Sequence, residues 1–169
     1  MPSQSRSPAP SARSSSLKPP NTGNRVRKTT SSREPPPPPP PFTPEMRDRM
    51  MELLAEETAA GNLSSTKAMQ RRPAFKRVAL AMAESFPAFG WSALKVQSKM
   101  RDEEKRYIQL LGVTRTPGNG YDEISGLPVA SDAFWEGLLF EAPEEWLRVE
   151  PLGDVDHYDE VFPDLRDYG

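Results

Sequence analysis

The side chains best suited to chemistry lie between residues 95 and 106: Lys95, Gln97, Ser98, Lys99 and Arg101, with Lys105 and Arg106 a turn later. A glutamine amide can bond bidentately to adenine, and Lys99 or Arg101 to guanine. Flanking cations can grip phosphates and fix the register on a duplex. A second basic cluster, Arg71, Arg72, Lys76 and Arg77, falls at the start of the preceding helical pattern, where free backbone N–H groups add to the attraction for anions. The competing account of both clusters is a solvated charged face, with Lys99 paired to Glu103 at i, i+4.

Little else in the chain offers reactivity. There is no cysteine, which removes disulfides, thiolate catalysis and Cys-based zinc sites. The single histidine, His157, sits among Asp156, Asp159 and Glu160 but lacks a partner imidazole for a metal site. No Ser-His-Asp set, Gly-rich phosphate loop or spaced carboxylate pair stands out, so no active site and no cofactor are expected. Phe42, Trp91, Tyr107 and Trp135 share helical register with aliphatic residues, which assigns them to a core rather than a base-stacking platform.

Three amphipathic helices must position the basic residues. The first opens with Thr43 as N-cap and Pro44 at the first helical position, carries Met46, Met50, Leu53 and Leu54 on one face, and stops at Gly61-Asn62. The second is expected to begin near Pro73, with Phe75, Val78, Ala79, Met82 and Phe86 at three-and-four spacing, and to end at Pro87 and Gly90. The third, capped by Ser92, buries Ala93, Val96, Met100, Tyr107 and Leu111 and leaves Lys95, Lys99, Arg101, Lys105 and Arg106 available. Val113 to Val129 reads as irregular, without alternation long enough for a sheet. A short helix follows Ser131 or Asp132 with Phe134, Trp135, Leu138 and Leu139, and a further helical piece starts at Pro143 around Trp146 and Leu147.

Composition divides the chain into three parts. Residues 1–41 hold twelve of the 20 prolines, with nine serines and a net charge of +6, and are expected to be disordered. Arg25, Arg27 and Lys28 in this tail could aid nuclear import, but a solvated tail with scattered charge is the favoured account of them. The run Pro35–Pro41 should form polyproline II, either a stiff spacer or a ligand for a proline-recognising domain. Residues 42–112 carry +3, and residues 113–169 carry −11. The overall −2 therefore does not exclude nucleic acid, because local fields decide binding. No apolar run approaches the roughly 18 residues of a membrane span, and no signal-peptide core is visible.

The order of these pieces resembles the Myb/SANT-like DNA-binding domain of transposon-associated fungal and plant proteins. The matching stretches are Phe42-Thr-Pro-Glu-Met46, then Phe75 with Val78-Ala79, then Ala93-Leu-Lys-Val-Gln97 running through its basic continuation to Tyr107. Gly120-Tyr-Asp-Glu and Ala130-Ser-Asp-Ala-Phe-Trp135 resemble the family's Gly-Trp-Asp and Asp-x-x-Trp elements. Phe42 and Tyr121 stand where the family usually has tryptophan. The resemblance covers residues 42 to about 162.

It implies an all-α fold: a helix-turn-helix-like three-helix domain at 42–112, followed by an acidic extension at 113–169 whose short helices pack on it. It also implies a nuclear, non-enzymatic protein that binds duplex DNA, either a transcription regulator or a transposon-derived recognition subunit, with chromatin or transposase-type proteins as further partners. The alternative expectation is a SANT-type module that binds histone tails or another basic partner through its acidic part.

Overall fold

In the computed structural model, residues 38–141 and 145–166 are described, the side chains of 139–141 excepted. Arg25, Arg27, Lys28, the first prolines of the Pro35–Pro41 run, and Pro143 lie outside them.

Helix α1 spans Pro44–Ala59. It begins as its sequence dictates: the Thr43 hydroxyl accepts the Met46 N–H at 3.2 Å, and Pro44 takes the first position, where no intrahelical N–H bond is lost. Gly61, at φ 78°, supplies the left-handed residue that ends it. Helix α2 spans Ala68–Ser85, so it starts well before the expected Pro73, which lies inside it. The proline withholds one N–H from the Met69 carbonyl, but Met69 and Pro73 are both exposed and water can satisfy that acceptor. A single 3₁₀ turn, Pro87–Phe89, and left-handed Gly90 then redirect the chain. Helix α3 spans Ala93–Thr114, with the Ser92 hydroxyl accepting the Lys95 N–H at 3.2 Å.

The segment expected to be irregular is so only in part: residues 115–119 and 123–126 are turns, but the rest is regular. Helix α3 runs two residues past Gly112, and strands β1 (Gly120–Asp122) and β2 (Leu127–Val129) form an antiparallel hairpin with Tyr121 opposite Pro128. The Asp122 carboxylate accepts the N–H groups of Ile124 and Ser125 and closes its turn. Helices α4 (Asp132–Glu141), α5 (Trp146–Val149), α6 (Val155–Val161) and α7 (Pro163–Arg166) follow. Ser131 caps α4 by accepting the Phe134 N–H at 3.2 Å. The described chain is thus mostly helical with one small sheet, and no helix in it is long and apolar enough to cross a membrane.

One core joins the first three helices to the C-terminal ones. Met50, Met51 and Leu54 of α1, Phe75, Val78 and Met82 of α2, and Val96, Tyr107 and Leu110 of α3 pack with Trp135, Leu147, Leu152, Tyr158 and Phe162. The main partner of α1 is α6. Between α5 and α6 the chain turns at Gly153, where any Cβ would overlap the Asp48 carboxylate of α1.

A charged cluster lies within this core. Arg47 and Glu103 are only 4% and 2% exposed. Arg47 Nε donates to Glu103 at 3.1 Å and Nη1 to Glu150 at 2.8 Å. The Tyr158 hydroxyl donates to the other Glu103 oxygen at 2.8 Å, with the Leu152 carbonyl a second acceptor at 3.0 Å. Every strongly buried charge here therefore has a hydrogen-bonded partner, which is the condition for tolerating it.

Burial raises the Glu150 carboxyl pKa, but the Arg47 hydrogen bond and the charges of Arg106 and Arg47 outweigh burial and hold it below the usual carboxylate range. A depressed folded-state pKa gives stability that is complete above the unfolded value of about 4.3 and is lost as pH falls through the folded one. Glu150→Gln should therefore lower the urea midpoint at neutral pH, and the gap from wild type should close in acid. A gap independent of pH would contradict this assignment.

Candidate nucleic-acid interface

Helix α3 has three distinct faces. One is buried through Val96, Glu103, Tyr107 and Leu110, with α2 as the main helical neighbour and Arg47 of α1 and Tyr158 of α6 meeting Glu103. Glu103 is therefore committed to Arg47, and the expected Lys99–Glu103 surface pair does not form; Lys99 lies 3.8 Å from Asp102 instead.

The second face holds three cations that the sequence reading left available. Lys95 Nζ donates to the Phe89 carbonyl at 2.7 Å and lies 4.7 Å from that ring's centre. Lys99 Nζ lies 4.8 Å from the centre of the Phe42 ring, which itself packs on Phe89 and Trp91. The Arg106 guanidinium stacks 4.1 Å from the Trp146 ring and stands 3.4 Å from Glu150, without hydrogen-bond geometry at Nε or Nη2. These side chains cover aromatic surface with their stems and compensate carboxylates, so they are not a free reading edge. Periodicity could not show this, because the rings come from distant segments.

The third face is open. Ser98, Arg101 and Lys105 are exposed and have no hydrogen bond or ion pair among the described residues. Leu94 and Ile108, 78% and 48% exposed, lie in the same helical stripe.

In α2 the basic cluster is also divided. Arg77 reaches back to α1, donating to both Glu57 oxygens at 2.7 and 2.5 Å, and the paired guanidinium holds the Glu57 carboxyl below its ordinary range. Arg72 and Lys76 are exposed and unpaired among the described residues. Arg71 is half-buried, and its Nε is enclosed by protein without any acceptor. It lines a groove of about 490 Å³ together with Gln97 and Arg101 of α3, so α2 and α3 bring one unpaired cation each, Arg71 and Arg101, to one surface. The far wall of that groove is Val161 to Leu165.

The aromatic residues keep their core assignment: Tyr107 and Trp135 are buried, and Phe42 and Trp91 are half-buried against the core. His157 Nδ1 lies 3.9 Å from Asp154, and no group of three or more metal-ligating side chains occurs among the described residues.

These features describe a largely helical domain with a split basic surface. Neither family models, nor curated proteins, nor solved structures gave a match to this chain.

Proposed function

We propose that this chain binds duplex DNA, with Arg71, Arg72 and Lys76 of α2 and Ser98, Arg101 and Lys105 of α3 as the contacting set and Gln97 at its edge. The observation that carries the reading is the meeting of Arg71 and Arg101, both unpaired, on one surface with Lys105 a turn further along. Unpaired guanidinium and ammonium groups are the ones free to replace counterions on phosphates. Lys95, Lys99, Arg106 and Arg77 leave the proposed set because each already has a carbonyl, ring or carboxylate partner. A nuclear regulator or transposon-derived recognition subunit remains the role implied by the Myb/SANT-like resemblance.

The test is fluorescence anisotropy of the full chain with random duplex DNA across a salt series. Affinity should fall steeply with salt. Arg101→Glu with Lys105→Glu should lower the logarithmic slope by about 2 and weaken binding by more than about tenfold. Both residues are exposed, so helicity should not change. Retained binding by this double variant, or affinity indifferent to salt, would refute the proposal.

One observation favours the second reading, a module for a basic partner. A cleft of about 470 Å³ between α1 and α6 is lined by Glu45, Asp48, Glu52 and Asp154 beside Phe86, with His157 and with Arg49, which pairs with Glu52, also in its wall. Partial burial, with Asp154 nearby, raises the Asp48 carboxyl pKa despite the opposing Arg47 charge. Three of these four acids belong to α1 rather than to the acidic C-terminal part. Saturable binding of a lysine-rich peptide, lost in Glu45→Gln with Glu52→Gln, would support this reading.

A further inference from the structure

The groove between α2, α3 and α7 has features that phosphate contact does not use. Its floor is apolar: Phe75 and Phe162 are buried there, and Met100 and Leu165 are half-buried beside them. Its volume, about 490 Å³, is in the range of pockets that enclose a bulky side chain. Two arginines stand at it, and one, Arg71, points an enclosed Nε–H at no acceptor. Glu104 and Asp164 also line the groove, yet neither pairs with Arg71 or Arg101. The guanidinium groups are thus left for a ligand.

We propose that this groove docks a short segment of a partner protein in which a bulky apolar residue is flanked by carboxylates. The apolar side chain covers Phe75, Met100 and Leu165, and a carboxylate accepts from the outer guanidinium nitrogens of Arg71 with Arg101 alongside. A planar guanidinium matches a carboxylate bidentately, and the Nη groups, which unlike the enclosed Nε remain open and unpaired, are the donors such a fork uses. Glu104 and Asp164 remain as acceptors for the segment's backbone N–H groups, which orients it along the groove. A DNA backbone meeting Arg71 and Arg101 at the rim leaves this floor unused, because a phosphodiester set over it would lose water without gaining an apolar contact. The occupant is therefore an acidic, apolar-centred peptide. The inference stands apart from the nucleic-acid reading, although the two ligands would compete for Arg71 and Arg101.

The experiment is an amide NMR titration of the full chain with a synthetic peptide carrying a tryptophan–leucine centre between glutamates. Controls are a glutamate-only peptide and the same centre between lysines. Saturable shifts are expected at Phe75, Gln97, Met100 and Leu165, with both controls weaker by about tenfold or more. Arg71→Gln should weaken the acidic peptide by a similar factor while its circular dichroism matches wild type. Met100→Gln, which roughly keeps side-chain length on a half-buried site, should weaken the tryptophan peptide but not residual glutamate binding. Shifts that never saturate would overturn the proposal, as would equal binding of the glutamate-only peptide or an unchanged Arg71→Gln variant. Shifts of these floor residues by duplex DNA with none from the peptide would assign the groove to nucleic acid instead. Peptide binding without any DNA binding would leave this inference intact and remove the nucleic-acid reading.

Discussion

Glu103→Leu is expected to destabilise the fold by about 3–5 kcal/mol, toward the lower end, in urea unfolding followed by far-UV circular dichroism. The substitution strands Arg47, which is almost fully buried and keeps only Glu150, a partner whose side chain is 37% exposed. It also leaves the Tyr158 hydroxyl with the Leu152 carbonyl alone. The cost comes from the orphaned groups rather than from the pair itself. Adding Arg47→Met should therefore recover much of the loss, because a well-packed apolar pair can replace a buried ion pair at little cost. A wild-type midpoint for Glu103→Leu alone would show that Arg47 finds water or another acceptor.

A chain cut after Thr114 is expected to lose cooperative unfolding altogether. The cut removes Trp135, Leu147, Leu152, Tyr158 and Phe162, five of the buried members of the core cluster. At about 2–5 kcal/mol for each large side chain lost, the combined deficit matches or exceeds the roughly 5–15 kcal/mol by which such domains are stable. Near-UV circular dichroism and amide NMR dispersion should both collapse. A dispersed spectrum and a sharp transition would instead establish residues 42–114 as a self-sufficient three-helix domain. The same experiment bears on DNA binding: shedding the −11 charge of residues 113–169 should not be read as unmasking if the fold is lost with it.

The parts legible in the sequence were those with local causes. Thr43, Pro44, Ser92 and Gly61 act on backbone groups within a turn of themselves, and each does in the structure what its type demands. The start of α2 was misplaced because Pro73 resembles a first helical residue, whereas the preceding polar turn carries no cap signal. The hairpin was missed because three-residue strands are too short to alternate.

At the candidate interface the errors were of another kind. Residue type alone assigns charged side chains to the surface, yet Glu103 stands in the register Val96, Met100, Glu103, Tyr107, Leu110, and Arg47 shares its stripe with Met50, Met51 and Leu54. That spacing was the available signal. The aromatic partners of Lys95, Lys99 and Arg106 left no such trace, since Phe89, Phe42 and Trp146 meet them only once the chain has folded. Gln97, Ser98, Arg101 and Lys105 do lie on one helix, α3, but only folding separates its open stripe from its committed one.

The tie from Arg47 to Glu150 spans 103 positions, and α1 rests chiefly on α6. Helix α1 therefore meets Glu103 first but must wait for Glu150 and α6 before the pairing of its buried arginine is complete. At roughly 5–20 residues per second that interval is on the order of 5–20 seconds, far longer than helix formation itself. Nascent chains stalled before Glu150 should hold α1 open to proteolysis, and folding should be completed only after release of the C-terminal segment. For a protein with so much local helix, assembly is governed by its longest loop closure rather than by its quickest turns.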